Sequence, residues 1–278
     1  MILKSFAKIN LSLNVNKKLK NGLHNIQSYF CLINLFDKII IKKIKGKKDI
    51  VKFQGKFSKH INKKENSILN TLSILREQKI IDKYYSVKIY KNIPVFAGLG
   101  GGTSNAACLT KYFNKKDKNK ILKNILEKKI GSDFQLFLQK QGFVKNLKEI
   151  NNFQQKYKLN FLLVFPNIKS STKYIYSKVK NYSLKSKYSL SKINNKKKFT
   201  KLLMASNNDL QKIVEKQYPI IKELLTDISQ VKGCYFSRMS GSGSICYGLF
   251  ENERTAKTAL KIVKSKYLNF WFSVAKTI

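Results

Sequence analysis

A chain of 278 residues, 43% of them apolar, is long enough to bury one large core or two smaller ones. Its 56 basic and 15 acidic residues give a formal net charge of +41, which raises nucleic acid as a partner. Only Arg76, Arg238 and Arg254 are arginines, and lysines run along the whole chain. Phosphate and base recognition lean on arginine, so the charge is expected to form solvated lysine faces and to bind no specific nucleic acid.

No apolar run reaches the roughly twenty residues of a membrane span. Residues 1–8 are too short and too broken by lysine to be a secretory signal. A cytoplasmic location without membrane contact is expected. Cys31, Cys108, Cys234 and Cys246 are scattered without metal-ligand spacing and are expected to be reduced core thiols. His24 and His60 are too few for a histidine metal centre, and no protein metal site is expected.

Residues 6–15 alternate in part. They predict a half-buried strand with Lys8 and Asn10 as neighbours on its polar face. Asn21-Gly22 makes a turn. Residues 28–36 and 39–44 predict a second and a third strand, and residues 50–53 a short one. Ile68, Leu69, Leu72 and Leu75 recur at helical spacing within residues 66–78.

An alternating strand at residues 85–91 leads into Ile93-Pro94-Val95-Phe96-Ala97-Gly98-Leu99-Gly100-Gly101-Gly102-Thr103-Ser104-Asn105-Ala106-Ala107, and a helical run over 105–112 leads out. Four glycines stand within five positions, 98 to 102. A glycine loop between a strand and a helix start gathers free backbone N–H groups, and Thr103, Ser104 and Asn105 can cap the helix. A helix N-terminus favours phosphate through those N–H groups and its positive dipole end. The stretch is therefore expected to bind phosphate. It is not a Walker loop, because Thr103 and not a lysine follows Gly102. A flexible linker would not need ordered patterns on both flanks.

Ile121, Leu122, Ile125 and Leu126 mark a further helix. Gly131-Ser132-Asp133 then sets one carboxylate beside a glycine, and Gly142-Phe143-Val144 begins a strand. Residues 146–159 are polar without a period, and a domain boundary is placed there, at about residue 150. Residues 161–165 predict a strand. Ser171 and Thr172 are N-cap candidates for a short helix through Tyr176 and Val179. Residues 181–198 are low in complexity and expected to form a mobile surface loop. Asn208-Asp209-Leu210 opens a helix to about residue 216, and Pro219 opens the next. Strands at 233–237 and 245–250 flank a second glycine turn at 240–244. A helix over 252–265 and a strand over 270–274 follow. This order of strand, helices, two strands, helix and strand matches the split-βαβ or ferredoxin-like plan.

Several short stretches, taken in order and at these spacings, carry a resemblance. They are Ala7-Lys8-Ile9-Asn10-Leu11, Gly22-Leu23-His24, Ile93-Pro94 with the glycine loop, Gly131-Ser132-Asp133 with Phe137, Asn208-Asp209-Leu210 and Met239-Ser240-Gly241-Ser242-Gly243. The chain resembles the GHMP kinase superfamily and, within it, the branch acting on 4-diphosphocytidyl-2-C-methyl-D-erythritol. The resemblance implies an α+β, two-domain GHMP kinase fold. Residues 1–150 would be an ATP-binding and catalytic domain like domain 2 of ribosomal protein S5, and residues 151–278 a ferredoxin-like domain. It implies phosphoryl transfer from ATP, with Mg²⁺, to the 2-hydroxyl of that cytidyl-diphosphate sugar alcohol in the non-mevalonate isoprenoid pathway.

The resemblance puts the catalytic pair on Lys8 and Asp133. An alcohol must lose its proton as the new bond forms, and a carboxylate can take it. A lysine beside it can steady the carboxylate and the charge developing on the phosphoryl oxygens. ATP falls to Pro94 through Ser104, with the Ser104 hydroxyl offered to the metal. The substrate falls to Asn10, His24, Tyr176, Gly241 and Ser242. His24 would read the cytosine edge and Tyr176 stack on its face. The chain departs from the family pattern at four points. Leu23 stands for a tyrosine that is the other side of the base sandwich, Phe96 for a glycine, Thr103 for a serine, and Gln135 for a proline. A homoserine or mevalonate type of kinase on the same fold, and a basic RNA-binding module, are the competing readings.

Overall fold

The computed structural model describes residues 1–114, 120–147, 149–153, 156–185, 193 and 195–278. It divides into two compact units. The first comprises Met1–Lys8, Leu35–Val95 and Gly100–Gln139, and the second Ile9–Asn34, Phe96–Leu99 and Lys140–Ile278.

In the first unit, β1 (Ile2–Asn10) supplies its first seven residues, and β3 (His24–Ile44) its C-terminal half. β3 pairs antiparallel with β5 (Tyr84–Tyr90) from Lys38↔Tyr90 to Ile44↔Tyr84. β4 (Ile50–Gln54) lies parallel on the other side of β5. Helices α1 (Ser67–Glu77), α2 (Gly101–Phe113) and α3 (Lys120–Ile130) pack together, burying Ile68, Leu72, Leu75, Leu109, Leu122 and Leu126. Asn66 caps α1 by accepting from the N–H groups of Ile68 and Leu69. The two strands expected at 28–36 and 39–44 are one strand of 21 residues. Asp37 does not interrupt it, because its carboxylate is buried with partners in Lys91 and Asn105.

The second unit contains a four-stranded antiparallel sheet in the order β11–β8–β10–β9, with β8 at Asn160–Phe165, β9 at Cys234–Met239, β10 at Cys246–Phe250 and β11 at Trp271–Lys276. Cys246 faces Val164 on one side and Met239 on the other. Helices α7 (Pro219–Gln230) and α8 (Glu253–Lys266) pack on it through Ile221, Leu224, Ile228, Ala256 and Val263. Pro219 sits in the first turn of α7, and Asn252 and Thr255 form a capping box on α8. This is the split-βαβ order read from the sequence. Helices α4 (Thr172–Ser177) and α6 (Gln211–Gln217) complete the expected elements.

Three local differences have physical causes. The strand expected over 6–15 is two, β1 and β2 (Asn14–Lys18), because side chains take the Leu11 carbonyl. Arg238 Nη1 donates to it at 2.5 Å and the Tyr247 hydroxyl at 3.1 Å. The polar stretch after residue 146 contains a strand, β7 (Glu149–Asn152), which pairs with β6 (Gln141–Asn146) and has no apolar alternation to reveal it. Helix α5 (Lys196–Met204) opens on three lysines, and its buried face is Phe199 with Leu203. Of the expected mobile loop, residues 186–192 and 194 lie outside the described residues, while Ser183 and Asn195 at its flanks are hydrogen-bonded. No described helix is long and apolar enough to cross a membrane.

Candidate active site

The glycine loop ends in a helix, as expected, but the cap differs. Helix α2 begins at Gly101, its N-cap is Gly100 at φ 67°, and no side chain caps it. Thr103, Ser104 and Asn105 already lie inside the helix. The first intrahelical bond beyond the cap runs from Ser104 N to Gly100 O at 2.8 Å. The N–H groups ahead of it have no partner within the helix, and the positive dipole end is directed there too.

Ser104 and Asn105 turn inward instead. Ser104 Oγ donates to Phe6 O at 2.6 Å and lies 2.7 Å from Ser5 Oγ. Asn105 Nδ2 donates to Ser5 Oγ and Asp37 Oδ2, and Asn105 Oδ1 accepts from Lys91 Nζ at 3.0 Å. Lys91 pairs with Asp37, whose Oδ1 accepts from the N–H groups of Asn92 and Ile93. A buried polar network thus fixes the end of β5, the segment entering the loop and the first turns of α2. Neither Asp37 nor Lys91 was singled out from the sequence. The signal was a lone acid between two apolar runs and a lysine as the last residue of an alternating strand.

Lys8 reaches the site from β1, and Asp133 from the first turn of the 3-10 helix Ser132–Leu138. Gly131 at φ 147° precedes that turn and passes close to Thr103 Oγ1, 3.6 Å from where its Cβ would be. Lys8 Nζ stands 3.1 Å from Asp133 Oδ2, with side-chain exposures of 5% and 38%. The lysine is therefore enclosed while the carboxylate has an open side. The polar face expected for this strand is itself buried: Lys8, Asn10 and Ser12 are all below 5% exposed. A Cβ on Gly100 would lie 2.7 Å from the Phe137 ring and 3.5 Å from Lys8 Cε. Gly100, Lys8, Phe137 and Asp133 are brought together within the first unit. Gln135, where a proline was expected, has a reason for being polar: its amide hydrogen-bonds Glu127, whose acid burial pushes above the usual carboxylate range.

In the second unit the two glycine stretches meet. A Cβ on Gly98, at φ 77°, would lie 2.6 Å from Ser240 O and 2.9 Å from Gly243 O, and Ile245 N donates to Ala97 O. Residues 240–244 join β9 to β10 as a hairpin turn and are buried. Asn208 Nδ2 donates to Met239 O and Gly241 O at 2.8 Å, and Asn10 N donates to Ser240 Oγ. Asn10 Nδ2 donates to Ser28 Oγ. Ser242 Oγ lies 2.8 Å from Thr172 Oγ1, in the first turn of α4, the helix that carries Tyr176. Before the loop, Pro94 is buried, Val95 half-buried, and Phe96 53% exposed at φ 61°.

His24 opens β3. Its ring lies 5.0 Å from that of Tyr176 and 6.4 Å from that of Tyr182. Burial, with help from the nearby Lys18 charge, holds its pKa below the ordinary 6.5. Tyr182 was not expected here, because it stands in a stretch without periodicity. All four cysteines are unpaired. Burial raises their thiols, that of Cys108 to about 11 and that of Cys234 to about 12, so neither offers a thiolate nucleophile at neutral pH. Among the described residues no three His, Cys, Asp or Glu side chains cluster as a metal site.

Residues 66–134 match the family model for the GHMP kinases N terminal domain, and residues 189–269 that for GHMP kinases C terminal. A 4-diphosphocytidyl-2-C-methyl-D-erythritol kinase from Pelagibacter ubique (strain HTCC1062) is 39% identical, covering 99% of this chain and 98% of the relative. One from Wolbachia sp. subsp. Brugia malayi (strain TRS) is 32% identical with the same coverage. Among solved structures, a 4-(cytidine 5'-diphospho)-2C-methyl-D-erythritol kinase superposes with a TM-score of 0.75 at 22% identity, covering 99% of both chains. A homoserine kinase from Cytophaga hutchinsonii gives 0.71 at 14%, covering 100% of this chain and 94% of its own. These two likenesses carry the fold, α+β and of the GHMP kinase kind, while the identity to the first two relatives carries the branch. The chain belongs to the 4-diphosphocytidyl-2-C-methyl-D-erythritol kinase family of the GHMP kinases.

Proposed function

We propose that this chain transfers the γ-phosphoryl group of ATP to the 2-hydroxyl of 4-diphosphocytidyl-2-C-methyl-D-erythritol, giving the 2-phosphate and ADP, as a step of non-mevalonate isoprenoid precursor biosynthesis. The observation that carries the chemistry is the Lys8–Asp133 pair, held beside Gly100 at the entrance to α2. The names of the relatives at 39% and 32% identity support the choice of substrate.

In this reading Asp133 accepts the hydroxyl proton as the oxygen attacks phosphorus. Lys8 orients the carboxylate and offsets negative charge on the transferring group. Residues Pro94 through Ser104 cradle the triphosphate, mainly with backbone N–H groups at the start of α2. Asn10, His24, Tyr176, Gly241 and Ser242 hold the substrate, with a neutral His24 on the base edge. ATP brings Mg²⁺, which takes its oxygens mostly from phosphates and water and needs few protein ligands. Ser104 Oγ gives its proton to Phe6 O and keeps a lone pair, so it is the hydroxyl that would be offered to that metal while Asp133 keeps the base role. A division at about residue 150 into an ATP-binding domain, 1–150, and a C-terminal domain, 151–278, falls between the two family-model matches at 66–134 and 189–269, although the compact units assign Ile9–Asn34 and Phe96–Leu99 to the C-terminal side. A cytoplasmic location belongs to the same reading.

The test is release of ADP by the purified chain with Mg²⁺, ATP and one of three alcohols: the cytidyl substrate, homoserine or mevalonate. Turnover with the first alone is expected. Turnover with homoserine or mevalonate and none with the cytidyl substrate would move the chain to another branch of the fold.

A further inference from the structure

Two tyrosine rings pack against His24. Tyr176 and Tyr182 lie 5.0 Å and 6.4 Å from it, tilted by 33° and 31°. Tyr176 is placed by α4, but Tyr182 belongs to no helix or strand. Its position has another cause, in the residue that follows it. Ser183 N donates to Val15 O at 2.8 Å, and Ser183 Oγ donates to Asp209 Oδ2 at 2.7 Å. The same carboxylate oxygen accepts from Val15 N at 2.7 Å. Asn16 falls in the bulge of the β2–β3 pairing, and its Nδ2 donates to Ser183 O at 3.0 Å. β2 also pairs Lys18 with His24. Ser183 is thus fastened to the strand that holds His24 in register, and Tyr182 is carried to the imidazole with it. An aromatic ring ordered in advance loses little further entropy when a ligand stacks on it. The neighbour of His24 in sequence, Leu23, is about half exposed and has no aromatic face to offer.

We propose that Tyr182 is a specificity-determining residue of the base subsite, the aromatic face that Leu23 does not supply, and that Asp209 and Ser183 are its positioning residues. The inference rests on the assignment of His24 and Tyr176 to the pyrimidine. A base edge read by hydrogen bonds to His24 gives selectivity, and an aromatic surface on its π-face gives affinity.

The experiment uses the full chain, steady-state rates, and CMP as the binding probe. Tyr182→Ala raises KM for the cytidyl substrate about tenfold, the scale of one lost base–aromatic stack, while kcat and KM for ATP stay as they are. Tyr182→Phe keeps wild-type values. Asp209→Asn and Ser183→Ala shift the same KM in the same direction, and Ser183→Thr, which keeps the hydroxyl, restores it. In tyrosine-labelled wild-type protein, the ring signals of Tyr182, assigned through Tyr182→Phe, move upfield on adding CMP. His24→Ala separates the two levels of inference. If it leaves CMP affinity unchanged, the base assignment itself falls. If it weakens CMP binding while Tyr182→Ala does not, or if the Tyr182 signals stay still, the assignment of His24 stands and the role of Tyr182 is overturned.

Discussion

Asp37 and Lys91 form an ion pair inside the first unit, and neither side chain is more than 3% exposed. Asp37 further accepts from Asn92 N, Ile93 N and Asn105 Nδ2, so all its acceptor capacity is used within the protein. Removing one partner of a buried pair leaves an uncompensated charge and costs about 3–5 kcal/mol. Lys91→Met is therefore expected to lower the unfolding free energy on that scale in urea at neutral pH. Adding Asp37→Asn should recover part of the loss, since no charge then remains buried. A loss for Lys91→Met below about 1 kcal/mol, the range of a surface pair, would mean that solvent reaches these groups.

The Lys8–Asp133 pair makes a separable prediction about rate. With Asp133 as the proposed proton acceptor, Asp133→Asn keeps the shape and removes that function, so kcat should fall by about 10²- to 10⁴-fold. Binding of a fluorescent ATP analogue should persist. Lys8→Met should also lower kcat, and the double variant should lose less than the product of the two losses, because the residues act as one unit. Retained turnover in Asp133→Asn would remove it from the base role.

Phe96 is a bulky residue in the left-handed region, at φ 61°, with its ring half in solvent. A non-glycine residue there costs about 1–2 kcal/mol, and little packing offsets it. Phe96→Gly relieves this strain, less the greater unfolded-state freedom of glycine, about 0.5–1 kcal/mol. Phe96→Ala loses the ring and keeps the strain. The glycine variant should therefore melt above the alanine variant. Equal melting temperatures would show that the backbone strain at this position is no larger than the unfolded-state cost of glycine.

The parts of the fold legible in the sequence are those whose local pattern and tertiary role agree. The four-stranded sheet of the second unit follows from apolar runs such as Phe161 to Phe165 and from Pro219 and Asn252 at helix starts. The glycine loop stood out through residue type and spacing, whereas Lys8, one lysine among many, and Asp133 were picked out only by the family resemblance. Elements without an apolar period did not: β7 is a short polar strand exposed at its ends and half-buried between them, and α5 hides two core residues behind lysines. The cap on α2 was misassigned because Ser104 and Asn105 are cap-type residues whose side chains are taken up by distant partners, Phe6 O and Asp37. Tyr182 was illegible for a related reason. Its place depends on Ser183 meeting Asp209, 26 residues away, and no local pattern encodes that.

His24 gives a pH dependence of defined sign. Its folded pKa is lowered, first by burial and then by Lys18. The imidazole is therefore neutral at pH 7. As pH falls through the ordinary 6.5, the unfolded chain takes up a proton that the folded chain still refuses, so stability declines until the folded pKa is passed. The His24 signal in an NMR titration, identified by removing the other histidine with His60→Gln, should turn over below 6.5. Lys18→Gln should raise that midpoint only in part, since burial is the larger cause. A midpoint above 6.5 would contradict the burial of the ring.

Gly98 and Gly22 have nearly the same backbone, φ 77° and 81°, in opposite surroundings. A Cβ at Gly22 meets nothing within 4 Å, whereas one at Gly98 meets two backbone oxygens, of Ser240 and Gly243, at 2.6 and 2.9 Å. Gly22→Ala therefore measures the left-handed conformation, about 1–2 kcal/mol, less the unfolded-state freedom that alanine removes, a term Gly98→Ala shares. Gly98→Ala adds a clash that neither side can relieve by rotating a side chain. It must push the two glycine turns apart, which breaks the bond from Ile245 N to Ala97 O. The expected outcome is a clearly larger loss of stability for Gly98→Ala than for Gly22→Ala in the same urea titration. KM for ATP should rise in the first variant and stay unchanged in the second. Equal losses would mean that the close approach of the two turns does not persist in solution.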